Sequence, residues 1–214
     1  EEEGNLAVYE TLLTFGTTSV DERVERGEGR QELSEWLSLY FQRLDAVLGR
    51  GVVDPYLVLE GEILAANPWE GDDTYDVSST EWYQRAVAAG GEVVFTDLYT
   101  DAISGYPVIT AAQQCRNSGA VMAFDILPEH FLFGFEALEL PEGNSFFLCD
   151  STGRLIYGNT ALELPERKLQ GYLDRIIGQI GDGSLEDYRD RILDVEGRPR
   201  AVYYTRMDNG WYSI

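Results

Sequence analysis

The chain has 214 residues, 44% hydrophobic and 12% aromatic, enough for one large core or two small ones. Sixteen basic against thirty-eight acidic side chains give a net charge of −22, which repels nucleic acid and anionic lipid and concentrates cations, though acidity of this kind also serves solubility alone. There is no apolar run of about 18 residues to span a membrane and no visible signal peptide, and the single His130 has no Cys or second His beside it for a zinc site.

In chain order, Leu6, Tyr9, Leu13, Val20 and Val24 predict an amphipathic helix, weakened by Gly16 and the threonines after it. Gly27-Glu28-Gly29 ends it. A second helix runs from about Arg30 to Leu48 on the stripe Leu33, Trp36, Leu37, Tyr40, Leu44, Val47 and Leu48, and stops at Gly49. Pro55–Leu59 and Glu62–Ala66 pair around Gly61 as a hairpin, and 67–73 is loop. Ser78 to Glu81 fits a capping box, with Ser78 at the N-cap, opening a short helix through Trp82, Tyr83, Ala86 and Val87 to Gly90-Gly91. Glu92–Tyr99, Pro107–Gln114 and Ala120–Ile126 form an antiparallel meander. Pro128 starts a helical segment to about Glu136.

After Pro141-Glu142-Gly143 the order partly repeats. Ser145–Cys149 and Leu155–Tyr157 form a hairpin, Pro165–Ile180 a helix, and Tyr188–Val195, Arg200–Arg206 and Gly210–Ile214 three strands. The fold class is therefore α+β, with a long N-terminal helix and two stacked modules, each an antiparallel sheet flanked by helices. The divisions are 1–30 for the helix, 31–137 for the first module and 138–214 for the second. Cys115 and Cys149 fall in different modules and read as buried free thiols. The start at Glu1-Glu2-Glu3 and the strand-like end at Trp211–Ile214 read as a piece cut from something longer.

In the meander, the first strand ends near Tyr99 and the third near Asp125, at one edge of the sheet. Tyr99 and Asp101 share a face if the strand continues. An aspartate after Ala123-Phe124 is costly unless paired. Asp101 and Asp125 then converge, with Trp82 and Tyr83 near, and two carboxylates with aromatic faces suit an ammonium group. The plainer alternative makes Asp101 a turn residue and Asp125 a helix N-cap before Pro128.

Glu81-Trp82-Tyr83, Gly90 to Asp101 and Val108-Ile109-Thr110 closely resemble the distal module of double Cache (PAS-like) sensor domains, the extracytoplasmic ligand-binding regions of bacterial chemoreceptors, histidine kinases and diguanylate cyclases. The resemblance covers most of the chain. It implies a small-molecule ligand in the first, membrane-distal module, no cofactor, no metal, no catalysis in this domain, and a membrane-anchored parent protein. It leaves the N-terminal helix as a membrane-proximal stalk and a candidate homodimer contact. Amino-acid sensors of the family share a tyrosine, an arginine five residues later, Trp-Tyr, Tyr-x-Asp and a later Asp. Tyr75, Trp82, Tyr83, Tyr99, Asp101 and Asp125 match this pattern, but Thr80 stands where the arginine belongs. The resemblance thus implies that the ammonium half of the site is kept and the carboxylate clamp lost, because threonine cannot replace a bidentate guanidinium. A small amine is the expected ligand.

The alternatives are an amino acid whose carboxylate meets a relocated cation such as Arg85 or Arg116, and a ligand-free spacer or dimerisation module. An enzyme fits least, since no Ser-His-Asp or Cys-His arrangement is present. In the second module, Asp150 and Asp194 read as a turn residue and a strand end, with no amine site.

Overall fold

The computed structural model describes residues 2–68, 75–102, 104–128, 140–186 and 188–214, with side chains from Leu6 onward. The helical segment expected from Pro128 to Glu136 lies, beyond Pro128 itself, outside the described residues, as do most of the 67–73 loop and His130. The chain divides into two compact units, Glu1–Phe131 and Leu132–Ile214.

In the first unit, α1 spans Glu2–Glu25 and α2 spans Arg30–Leu48. Leu6, Tyr9, Leu13 and Val20 are buried at alternating three- and four-residue steps, and Gly16 holds the missing step of that stripe. A Cβ there would stand 2.5 Å from the Met122 sulfur. Gly16 therefore marks a close approach of α1 to the sheet rather than a break in the helix. Thr17 Oγ1 donates to Gln113 Oε1, and Asp21 accepts from the backbone N–H groups of Asn117 and Ser118, so the helix is also fixed by buried polar contacts.

The strands are β1 Val53–Leu59, β2 Glu62–Ala65, β3 Val94–Phe95, β4 Tyr99–Thr100, β5 Pro107–Gln114 and β6 Val121–Ile126. Their order is β2-β1-β6-β5-β3, with β4 also on β5, and the pairs are antiparallel. Glu60 and Gly61 both take positive φ, 54° and 82°, which gives the β1–β2 hairpin the twist its strands need. The expected strand 92–99 is split in two. Thr96 Oγ1 accepts the Thr110 N–H where a ladder carbonyl would, and the ladder lapses before Tyr99.

The pleat sorts β6 into two faces. Met122 and Phe124 lie toward α1 and α2, where Phe124 meets the Tyr40 ring at 6.3 Å. Val121 and Ala123 lie toward α3 (Glu81–Ala89), in a core with Trp82, Ala86, Ala112 and Val58. The alanines let α3 approach closely. The predicted cap is displaced: Val77–Ser79 winds as a 3₁₀ turn, Ser78 Oγ donates to Asp76, and Thr80, not Ser78, is the N-cap of α3. Gly90 ends α3 in the left-handed conformation, as expected.

In the second unit, β7 Phe146–Cys149 and β8 Leu155–Asn159 form the expected hairpin, and α4 spans Glu166–Gly181. The three strands expected after it are instead four short ones. β9 Arg191–Leu193 and β10 Pro199–Ala201 make a separate ribbon, while β11 Thr205–Arg206 and β12 Tyr212–Ser213 join β7 and β8 in the order β11-β12-β7-β8. The chain leaves one partner after Ala201 and takes another at Thr205. Asp150 and Asp194 are turn residues of one design. Each accepts backbone N–H groups two and four residues ahead, before Gly153 and Gly197 at positive φ. Cys115 and Cys149 are free and buried, and burial pushes both thiols up to about 12.

Candidate functional site

Pairing sets the site. In register, Asp54 (β1) lies opposite Asp125 (β6), which lies opposite Thr110 (β5), while Tyr56 lies opposite Ala123 and Tyr99 (β4) opposite Val108. By the two-residue period these groups share the sheet face on which α3 packs. Asp54, Tyr56, Tyr99, Val108 and Asp125 open onto a cavity of about 360 Å³. Its walls are Trp82 from α3, Tyr75 from the segment before it, Tyr56, Tyr99 and Tyr106, with aliphatic contributions from Val53, Ile63 and Val108. Trp82 is 4% exposed and meets Tyr56 edge-to-face at 5.3 Å.

Asp125 lies at the bottom. Thr110 Oγ1 donates to its Oδ1 at 2.7 Å, and Tyr56 Oη donates to the same oxygen at 2.9 Å. Because Thr110 spends its proton on Asp125, it accepts from Tyr99 Oη at 2.6 Å, and a hydrogen-bond chain runs Tyr99 to Thr110 to Asp125. Burial pushes the Asp125 carboxyl up to about 7. The Thr110 and Tyr56 bonds oppose that rise, and the charges of Asp101 and Asp54 add to it. Tyr75 is raised by burial first and then by the charges of Asp101 and Asp125, so its ring stands within the field of both.

Asp101 follows β4 on the other side. It caps a turn, with Ser104 N–H on its Oδ2 at 2.6 Å, and it also lines the cavity. The two readings of Asp101 are therefore compatible. Among the described lining residues three are carboxylates, Asp54, Asp101 and Asp125, and none is Arg, Lys or His.

Of the residues singled out in the sequence, Tyr75, Trp82, Tyr99, Asp101 and Asp125 line this one cavity. Thr80 and Tyr83 do not: Thr80 Oγ1 donates to Val77 O, and Tyr83 packs against Trp82 at 5.8 Å. Arg85 pairs with Glu81 within α3, and Arg116 pairs with Glu92 and lines a separate groove against α1, so neither is among the described residues of the cavity. Tyr56, Thr110 and Asp54 were missed. Their signal was the period of β1 and β5: Asp54 and Tyr56 fall out of phase with the buried Val53, Pro55 and Leu57, and Thr110 falls in phase with Ala112.

Solved ligand-binding domains of chemoreceptors superpose on this architecture. That of Tlp3 from Campylobacter jejuni, in complex with 4-methylisoleucine, gives a TM-score of 0.68 at 16% identity and covers 99% of this chain and 82% of that one. The chain has the double Cache fold. The CtaA domain of Pseudomonas fluorescens, with L-isoleucine, gives 0.65 at 16% identity over 97% and 82% of the two chains. The PctC domain of Pseudomonas aeruginosa, with GABA, gives 0.56 at 19% over 72% and 69%.

By sequence, this double Cache domain is 31% identical over 136 residues to the methyl-accepting chemotaxis protein McpB of Bacillus subtilis, 63% of this chain and 20% of that protein. TlpB of the same organism is 27% identical over 146 residues, 68% and 21%. The chain thus spans about a fifth of the length of these curated relatives. No family model matches it. Among the described residues no helix is long and apolar enough to cross a membrane.

Proposed function

We propose that this domain is the extracytoplasmic ligand-binding part of a bacterial transmembrane receptor, and that its first unit binds a small amine through the ammonium group. The reading rests on one observation above all: a partly buried carboxylate, Asp125, faces an aromatic cavity whose described walls carry no basic side chain. An ammonium there gains charge-assisted hydrogen bonds from Asp125 and Asp101 and the faces of Trp82 and the tyrosines. A carboxylate in the same place would meet three like charges. The binding residues are those of the cavity, Tyr75, Trp82, Tyr99, Asp101 and Asp125, with Tyr56 and Thr110 holding Asp125. Tyr83 supports Trp82 from behind. The role is recognition rather than catalysis, and an output domain belongs to the remainder of a longer protein.

An amino-acid ligand is the second reading, favoured by the isoleucine-type and GABA complexes of the structural neighbours. Thermal-shift screening with small amines and amino acids separates both from a ligand-free spacer, because a ligand that binds the folded state alone raises the melting temperature by mass action. No shift with either class would leave the spacer.

Thr80→Arg is expected to raise amino-acid affinity by about tenfold or more, through a guanidinium introduced beside the Trp82 helix start. The side chain of Thr80 makes no cap bond in α3, so the helix tolerates the change. An unchanged amine-to-amino-acid ratio by calorimetry would refute it. Self-association belongs to the same proposal: Val8 and Phe15 stand 40% and 62% exposed on α1, a surface that a homodimer would bury. Sedimentation is expected to show a dimer that Phe15→Glu dissociates, and a wild-type monomer at all concentrations would contradict it.

A further inference from the structure

With an ammonium group on Asp125, the strand register shows where the rest of an amine can go. Inward along the sheet, the next residues on this face are Tyr56 and Ala123, and α3 closes over them with Trp82 and Ala86, both buried. Toward β2, Tyr56 stands between Ala123 and Ala65, its ring against Trp82 and its hydroxyl on the Asp125 carboxylate. Outward, the face stays open. One two-residue step from Asp125 and Thr110, about 6.8 Å along the strands, come Leu127 and Val108, with Tyr99 across from Val108. A second step along β5 reaches Tyr106. We infer that the ligand is an arylalkylamine, its ring two carbons from the nitrogen, and that Val108, Leu127, Tyr99 and Tyr106 form the subsite for the ring. This rests on the amine reading and deepens it by naming the class of the tail.

Length is the first support. A two-carbon linker carries a ring roughly one such step from the nitrogen, to the level of Val108 and Leu127. Those two side chains are apolar, Val108 only 4% exposed and Leu127 partly buried, so a polar tail would lose water there and gain no bond from them. Tyr99 supplies a fixed flank. Its backbone lies at the level of Val108, yet its hydroxyl donates to Thr110 Oγ1 at 2.6 Å, one step inward. The Tyr99 ring therefore spans the same step that the tail of the amine must cross. Tyr106 stands at the rim. It lines the cavity but is 65% exposed, while its N–H donates to Ser104 Oγ and its carbonyl accepts from the Asp101 N–H. Its backbone is thus held and its ring is left facing water. An aryl group at this level would cover that ring, and aromatic pairs with centroids about 4.5–7 Å apart attract beyond the area they bury. A short alkyl tail ends before Tyr106 and leaves it uncovered.

The test is calorimetry at pH 8 with 2-phenylethylamine, 2-cyclohexylethylamine and n-butylamine, on wild type, Tyr106→Ala and Asp125→Asn. Tyr106 is mostly exposed, so its truncation leaves the fold intact, which a thermal melt of the variant checks. Wild type is expected to bind phenylethylamine about tenfold or more tighter than butylamine. It is expected to prefer phenylethylamine to the cyclohexyl analogue by about threefold or more, because the saturated ring buries similar area without the aromatic pairing. Tyr106→Ala is expected to weaken phenylethylamine by about fivefold or more and to erase its advantage over the cyclohexyl analogue. Equal affinity of wild type for the aromatic and saturated rings, or an equal loss of all three amines in Tyr106→Ala, overturns the aryl subsite. If butylamine binds, needs Asp125 and matches phenylethylamine, the aryl subsite alone falls. If none of the three binds, the amine reading falls with it.

Discussion

Asp125→Asn is expected to abolish ammonium binding and to leave the ligand-free domain as stable as wild type or more so. The amide keeps the oxygen that accepts from Thr110 and Tyr56, so the hydrogen-bond chain from Tyr99 survives. It loses the charge. Removing one partner of a buried charged pair costs about 2–5 kcal/mol of binding, or roughly a thirtyfold to several-thousandfold loss of affinity. In the ligand-free state that charge has no cation within the described cavity, and two like charges act on it. Deleting it should stabilise the fold by about 1–3 kcal/mol near pH 8, a rise in melting temperature of roughly 2–12 °C for a domain of this size. Calorimetric titration and thermal melting on the same preparation read both effects. A variant that loses binding and also melts several degrees lower would show that Asp125 is a structural anchor rather than a ligand partner.

Affinity for an amine should fall with acidification below pH 7. The Asp125 carboxyl stands at about 7 in the folded, ligand-free domain, chiefly through burial. An ammonium ligand needs its ionised form, so below that pH affinity drops by about tenfold per unit, and binding near pH 7 releases protons. The stability effect has the opposite sign. A carboxyl raised from about 4 when unfolded to about 7 when folded binds its proton more tightly in the native state. Its contribution is therefore fully present below about pH 4 and is lost as pH rises through about 7. The stability difference between Asp125→Asn and wild type should grow over that window and vanish at its acidic end. Taking the difference cancels the other carboxylates, such as Asp21, which the Ser118 and Asn117 bonds draw down against the burial that would raise it. Titrations in two buffers of different ionisation enthalpy count the protons. A pH-independent affinity between 5 and 8 would place the Asp125 carboxyl in the ordinary range.

What the sequence disclosed was what local periodicity encodes. The stripes of α1, α2 and α4, the glycine stops at Gly49 and Gly90, the Gly61 hairpin and the apolar runs of β5 and β6 all follow from spacing of 3.6 or 2. Asp125 was legible because a charged residue ending an apolar strand demands a partner, while Tyr99 and Asp101 were preferred as ligand residues over a plain turn through the resemblance to double Cache sensors. What stayed hidden depends on long-range pairing. Nothing local places β1 between β2 and β6, so the approach of Tyr56 and Asp54 to Asp125 could not be read. The splitting of the expected 92–99 strand depends on a single event, the Thr96 hydroxyl taking a ladder bond, that composition does not reveal. Three cap-competent hydroxyls stand in a row at Ser78, Ser79 and Thr80, and Asp76 drew the first two away, Ser78 to its side chain and Ser79 to its carbonyl.

The most direct test of the central claim, that the cavity recognises an ammonium group and not an amino acid as a whole, is a pair of titrations at pH 8 with isobutylamine and valine. The two differ only in the α-carboxylate. Isobutylamine is expected to bind the wild-type domain, and valine more weakly by about tenfold or more, since its carboxylate would enter beside Asp54, Asp101 and Asp125 without a cation among the described walls. Tighter binding of valine would contradict the account and require a partner for its carboxylate that these walls do not supply.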